Sequence, residues 1–394
     1  MPSFSLNFSA GGVKKNGLMR LPCCRNAHHC QTLFFLLKLS AMKLILAPLA
    51  NISHSGLRML IHTFGDPDEY FTEMIHAPSL LAGGPFEQWY LRANPVPEKL
   101  VWQLTSPRAE AFAQAIPVVL RHGGIGVDLN MGCSAPPIVR TGAGVAWMLK
   151  PLNTTAEAVR SVKQALEAYS TEQGKPFRLS VKLRLGASAD YAYLLRFCTM
   201  LIDEGVQLIT IHPRLQRQSY ARPALHEYTA ALAKDLPIPV YGNGDINSAE
   251  KLQTAAQRYP CAGWMIGRAA VQMPWIFEAI RRKYGGESGS GIAHAAETDG
   301  ARTADTMNGS ASDDAPYRID LEQTALSFLQ YLETEQPPEF FLTRAQRFFQ
   351  FYCDNFSFAH YCRTQLLRAR SREEMEHALH TYFEQSPGDK LIEI

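Results

Sequence analysis

Long apolar runs are scarce in this 394-residue chain. The one segment that suggests such a run, Leu33-Phe34-Phe35-Leu36-Leu37 followed by Leu39-Ser40-Ala41, is broken by Lys38 and is too short to span a bilayer. Lys14, Lys15, Arg20 and Arg25 ahead of it give the outline of a signal peptide, but cleavage after Ala41 would leave a chain that starts at a strand. Residues 1–41 therefore read as an upstream extension with Met42 as the natural start, and no membrane partner is expected. An excess of either charge is also missing: 39 Lys and Arg face 37 Asp and Glu, so any basic surface must be local. The eight cysteines are scattered, without the dense spacing of a disulfide framework, which fits a reducing, cytoplasmic setting. Cys23, Cys24, His28, His29 and Cys30 do cluster, but not at the spacing of a closed four-ligand zinc site, so no metal is expected.

What the chain has is ample core material, 46% hydrophobic with 10% aromatic residues, arranged in a repeating order. Short apolar runs at Leu44-Ala47, Tyr70-Met74, Leu100-Leu104, Ile125-Leu129, Arg178-Leu183, Gln207-Ile211, Ile238-Tyr241 and Ala262-Ile266 predict eight strands. Between them, amphipathic stretches predict helices at Ser53-Phe64, Arg108-His122, Thr154-Glu172, Asp190-Glu204, His226-Lys234 and Ser248-Tyr259. Another follows the last strand at Pro274-Lys283, and Asp190 and Ser248 stand where N-caps belong. Eight βα units with strands buried on both faces point to an α/β fold, a (β/α)8 TIM barrel over residues 42–284. A doubly wound sheet is the alternative, but it needs a glycine fingerprint after its first strand, and Ala47-Pro48-Leu49-Ala50-Asn51 has none. Residues 285–316 are rich in Gly, Ala, Ser, Thr and Asp and read as a flexible linker. Helical periodicity returns over 317–394 and predicts a bundle of three or four helices. In that unit Arg344, Arg347, Arg363, Arg368, Arg370 and Arg372 fall in a segment whose only acid is Asp354, which suits either a solvated helix face or a phosphate backbone.

A barrel does its chemistry at the carboxyl ends of its strands. Strand one ends in Ala47-Pro48, two in Glu73, three in Gln103, four in Asn130 and Cys133, five in Lys182 with Arg184, and six in His212-Pro213-Arg214. Seven ends in Asn243-Gly244-Asp245 and eight in Gly267-Arg268. Taken singly, Cys133 is more often a small buried hydrophobe, Lys182 an ion-pair member and His212 a satisfied core histidine. Polar groups at seven of eight ends are hard to assign to stability alone. The glycines of the last two ends, followed by Arg268, match the way this fold builds a phosphate site. Lys182, as the last inward residue of its strand, aims an ammonium into the mouth, where it suits an electron-rich ring such as a flavin, with Gln103 and His212 beside it. After Cys133 come Ser134, Ala135 and two prolines, which predict a loop without helix.

These segments, in this order, resemble the tRNA-dihydrouridine synthases of bacterial type. The resemblance rests on Leu46-Ala47-Pro48-Leu49, Thr72-Glu73-Met74, Val101-Trp102-Gln103-Leu104, Asp128-Leu129-Asn130-Met131-Gly132-Cys133 and Ser180-Val181-Lys182-Leu183-Arg184-Leu185-Gly186. It continues through Ile211-His212-Pro213-Arg214, Gly242-Asn243-Gly244-Asp245-Ile246 and Met265-Ile266-Gly267-Arg268, and more loosely through Arg344-Ala345-Gln346-Arg347-Phe348-Phe349. It implies a bound FMN, held by Ala47, Pro48, Leu49, Gln103, Lys182, His212, Asn243, Gly244, Asp245, Gly267 and Arg268, with NADPH as a transient reductant. It implies tRNA as the partner, with Glu73, Asn130, Arg184, Arg214, Arg344, Arg347, Arg363, Arg368 and Arg370 at the substrate. Cys133 is the expected proton donor, and the chain is expected to act as a monomer. Two departures stand out: Ser134-Ala135-Pro136 where the family usually has proline directly after the cysteine, and His212-Pro213-Arg214 where many members read His-Gly-Arg. The competing readings are a flavin-dependent barrel acting on a free small molecule and a non-catalytic RNA-binding protein.

Overall fold

The computed structural model describes residues 42–284 and 317–394. The upstream extension with its His and Cys cluster, and the linker, lie outside the described residues. Eight parallel strands close into a barrel: β1 (Lys43–Leu46), β2 (Glu69–Phe71), β3 (Leu100–Thr105), β4 (Gly126–Met131), β5 (Arg178–Leu183), β6 (Leu208–Ile211), β7 (Val240–Asn243) and β8 (Gly263–Ile266). Closure is made by β1, which pairs β2 on one side (Leu46 with Tyr70) and β8 on the other (Leu46 with Ile266). The principal outer helices are α1 (Ser55–His62), α2 (Ala77–Ala82), α3 (Ala109–Leu120), α4 (Leu152–Gln173), α5 (Tyr191–Asp203), α6 (Glu227–Asp235), α7 (Ala249–Arg258) and α8 (Ile276–Tyr284). Asp190 and Ser248 cap α5 and α7, their side chains accepting from Tyr193 N at 3.0 Å and Lys251 N at 3.2 Å.

Strand side chains alternate, so one parity of each strand fills the barrel. At its base Arg178 grips Glu69 through two hydrogen bonds, at 2.8 and 2.6 Å. Above lies an apolar layer of Ile45, Phe71, Val101, Leu208, Tyr241 and Met265. The same parity then places Gln103, Asp128, Asn130, Ser180, Lys182 and His212 toward the mouth.

Three local expectations change. Proline does not exclude helix after Cys133: Pro136–Arg140 is a short helix with Pro136 and Pro137 in its first turn, where the missing N–H groups would lack intrahelical partners anyway. The second strand stops at Phe71 rather than Met74. There the Thr72 hydroxyl accepts from Gln103 N at 3.0 Å, so the chain leaves the ladder before rejoining β3 at Ile75–His76. Strand seven begins at Val240, two residues late, because Pro239 has no N–H to donate to a neighbour.

The second unit has four main helices, α9 (Leu321–Glu335), α10 (Pro338–Tyr352), α11 (Ala359–Arg368) and α12 (Arg372–Gln385). The ribbon of β9 (Arg318–Asp320) with β10 (Leu391–Glu393), which the periodicity did not predict, ties its two ends together. Stacked aromatics build its core: Phe348 lies between Phe328 and Tyr352, with centroids at 3.7 and 4.8 Å. It docks on the upper rim of the barrel, with α9 against α1 and α10 against the short helix Arg268–Gln272. Asn355 adds a hydrogen bond to Gln272 O at 2.7 Å.

Candidate active site

β4 delivers Asn130 inward as its last inward side chain, and the next turn carries Cys133. Asn130 Oδ1 accepts from the backbone N–H of Cys133 at 2.9 Å and of Gly132 at 3.3 Å, folding the turn over its own side chain. From the far side Val145 N donates to Cys133 O at 2.9 Å. Gly144, at φ +62°, is what allows this approach, since a Cβ there would strike the Cys133 carbonyl. The thiol is free and half-buried. Behind it, Asn130 Nδ2 donates to Gln103 Oε1 at 2.9 Å, and Gln103 Nε2 donates to Asp128 Oδ2 at 2.8 Å. Ser180 Oγ donates to Asp128 Oδ1 at 2.7 Å. Burial pushes the Asp128 carboxyl up to about 6, against the hydrogen bonds from Gln103 and Ser180 and the charges of Lys182 and Arg178.

Beside Asn130, in register on the neighbouring strand, Lys182 makes no hydrogen bond or ion pair among the described residues. Burial first, and then Arg184, lowers its ammonium to about 8, with Asp128 and Cys133 opposing. His212 is held neutral by burial and by Lys182, Arg184 and Arg214. Arg214 Nη1 donates to His212 Nε2 at 2.6 Å, and a guanidinium can only donate, so the ring proton resides on Nδ1, leaving that N–H as the ring's donor. Tyr220 covers this group. Its ring stacks on His212 with centroids at 5.8 Å, and the guanidinium carbons of Arg184, Arg214 and Arg268 lie at 5.5, 5.6 and 5.0 Å from it. At 56% exposure it is a flat aromatic face open to solvent at the barrel mouth.

At the ends of β7 and β8, Asn243 Nδ2 donates to Met265 O at 2.8 Å and locks the two strands together. Gly244, at φ +120°, runs tight against His212 and Arg214. Gly267 leads into the helix Arg268–Gln272 with Ala47 and Leu49 beside it, and Arg268 is exposed. Permissive backbone, an apolar wall and the exposed Arg268 thus meet at one edge of the mouth, and donors with no acceptor among the described residues (Lys182 Nζ, His212 Nδ1) at its centre. This donor set fits an electron-rich ring carrying a phosphate.

The family model for dihydrouridine synthase matches residues 45–374, which spans both units. The chain belongs to this family. It is an oxidoreductase acting on a CH–CH bond. Among its relatives, a probable tRNA-dihydrouridine synthase of Aquifex aeolicus is 32% identical over 61% of this chain and 73% of its own length. A probable tRNA-dihydrouridine synthase of Helicobacter pylori is 30% identical over 60% of this chain and 70% of its own. The tRNA-dihydrouridine(16) synthase of Shewanella oneidensis is 28% identical over 61% and 75%.

In this dihydrouridine synthase several residues expected at the ligands are engaged by the protein itself. Glu73 and Arg344, expected at the substrate, are buried and paired at 2.7 Å, and the second Glu73 oxygen accepts from Asn51 N at 2.7 Å. They fasten the helical unit to the rim, because a guanidinium this far from water must have a carboxylate. Arg214, also expected at the substrate, is 1% exposed and bound by Asp245 at 2.5 Å and by Arg222 O at 2.8 Å. Asp245, expected at the cofactor, spends its other oxygen on Ala224 N at 2.7 Å. Arg184 donates to Leu215 O and to the Tyr220 hydroxyl, both at 3.1 Å. In the arginine segment, Arg363 pairs with Asp354 and Arg372 with Glu333 and Glu376. Arg347, Arg368 and Arg370 are exposed and make no ion pair among the described residues. Sequence reasoning passed over Tyr220 and Asp128. The signals were present: an aromatic in an otherwise polar loop, and an acid inside an apolar strand.

Proposed function

We propose that the chain reduces the C5=C6 bond of uridines in tRNA, with FMN as the bound cofactor and NADPH as the reductant. The observation that carries the reading is the meeting, at one barrel mouth of a dihydrouridine synthase, of a half-buried thiol, an ammonium with no ion-pair partner among the described residues and an imidazole of fixed tautomer. When bound, reduced FMN supplies the hydride that C6 of the uracil receives. Lys182, His212 and Gln103 are the residues to hold its ring, and the backbone at Gly244 and Gly267 with Arg268 to hold its phosphate.

Hydride at C6 leaves negative charge delocalised onto O4 of the uracil, and the product needs one proton at C5. Cys133 donates it from Sγ, so the residue works as a neutral thiol. Asn130 fixes the cysteine backbone, and its second N–H, which rests only on the weak acceptor Met74 Sδ at 3.7 Å, can turn to the base. Lys182 stands where the developing charge needs a cation. The uridine is extruded from its stack to reach the mouth, and the Tyr220 ring offers it an aromatic face. Arg347, Arg368 and Arg370 supply charge for tRNA phosphates, and the protein works as a cytoplasmic monomer. No dinucleotide fingerprint is present, so NADPH visits the open mouth transiently.

The test is Cys133→Ala with unmodified tRNA. Dihydrouridine, read by nucleoside mass spectrometry, falls by at least about a hundredfold while tRNA affinity and yellow flavin content persist. Wild-type turnover in that variant refutes the role.

A further inference from the structure

Among the described residues, the buried carboxylates of Glu69, Glu73, Glu322 and Glu335 each face a cation within ion-pair distance. Asp128 faces none: its hydrogen bonds come from two neutral side chains, the Gln103 amide and the Ser180 hydroxyl. A carboxylate buried on such terms is costly, and a neutral side chain would fill the same space at lower cost. What sets Asp128 apart is polarity. An ionised carboxylate only accepts, whereas an amide has one end of each kind.

We propose that Asp128 is a positioning residue, whose acceptor-only carboxylate locks two successive amides in one polarity and thereby holds the Cys133 loop. Asp128 Oδ2 can receive only the NH2 end of Gln103, so Gln103 Oε1 must turn to Asn130. That oxygen can receive only the NH2 end of Asn130, so Asn130 Oδ1 must turn to the N–H groups of Cys133 and Gly132. Were either amide reversed, an NH2 would confront those backbone N–H groups and the turn would lose its anchor. Ser180 donates to the other oxygen at 2.7 Å, so both oxygens of the carboxylate are satisfied as acceptors. The sequence offers no local substitute, because the relay joins β3, β4 and β5 side by side and the register of those strands is what brings it into line.

The inference rests on the reading of Cys133 as proton donor, so the experiment separates the two. Asp128→Asn in the flavin-loaded protein keeps the shape but removes the polarity. Its amide can face Gln103 with either end, and the reversed chain becomes accessible. The expected result is that kcat on tRNA falls by about fivefold at unchanged KM, the equivalent of one lost hydrogen bond. Alkylation of Cys133 by iodoacetamide, read on its own peptide by mass spectrometry, rises by about the same factor as the loop loosens. The double variant Asp128→Asn with Gln103→Glu moves the acceptor-only group one step along. The amide at position 128 then donates its NH2 to the new carboxylate, which again receives Asn130 in the original sense. The alkylation rate should return to the wild-type value even where turnover does not, because the proposed function also gives Gln103 a part in holding the cofactor. A wild-type alkylation rate and kcat in Asp128→Asn, or a double variant that stays as reactive as the single one, overturns the proposal. Altered alkylation with kcat unmoved upholds the positioning and removes the proton-donor assignment instead.

Discussion

Lys182 shows how much one side chain's surroundings decide. Burial and Arg184 bring its ammonium from an ordinary value of 10.5 down to about 8. The charge in the mouth is therefore lost as pH rises through about 8, and flavin affinity and turnover should decline on that alkaline limb. Lys182→Arg keeps the cation throughout and should abolish the limb, whatever its effect on the plateau rate; a pH profile of flavin binding checks this. Stability moves the other way. Between about 8 and 10.5 the unfolded chain holds a proton that the folded one has released, so folding stability of the flavin-free protein rises with pH across that window. Tyr220 carries a second prediction at this scale. Tyr220→Ala removes an exposed stacking face without touching the barrel core, and should weaken tRNA substrate binding by about 1–3 kcal/mol, seen as a raised KM. An unchanged KM would show that the ring covers His212 and contributes nothing to the base. Cys133 was legible in the sequence because it ends a strand. Asp128 was not given a role, since an acid within an apolar run shows its purpose only when the neighbouring strands are in register.

At the level of elements, the buried pair of Glu73 and Arg344 joins the loop after β2 to α10 and, through Asn51, to the loop after β1. Arg344→Met leaves a carboxylate stranded beneath the helical unit, and should destabilise the docked protein by about 3–5 kcal/mol in denaturant titration. The double variant with Glu73→Gln should recover much of that loss, whereas a role for Arg344 on tRNA would leave stability unmoved and cost affinity instead. Helix caps were readable in advance, because Asp190 and Ser248 act on N–H groups three residues away. The end of β2 was not. Thr72 replaces a ladder bond with its hydroxyl, and its partner Gln103 lies thirty-one positions away.

For the whole molecule, the helical unit sits on the rim that carries the mouth, so a tRNA held by it is presented to Cys133 rather than to the base of the barrel. Arg347, Arg368 and Arg370 are the exposed cations of the arginine segment that no carboxylate claims among the described residues. Replacing all three by Gln should weaken tRNA binding and reduce the slope of log affinity against log salt by about 2 to 3, with the reactivity of Cys133 unaffected. A slope equal to the wild type would place the phosphate contacts elsewhere, for example on Arg217 and Arg222, which are exposed beside the Tyr220 loop.

Taken alone, the sequence determined the eight-strand barrel, the parity that turns Gln103, Asn130, Lys182 and His212 inward, and the place of Cys133 after the fourth strand. Those features follow from periods of two and 3.6 residues and from turn chemistry, all of which act over a few positions. The tertiary structure alone decided which charged groups remain available. Glu73 and Arg344 find each other across 271 residues, Arg214 is bound by Asp245 across 31, and Arg363 is neutralised by Asp354, while Lys182 is left without a partner among the described residues. A guanidinium reads the same in a sequence whether it meets a phosphate or a carboxylate. Which it meets depends on burial, where an unpaired charge is too costly to keep, and burial is a property of the packed molecule.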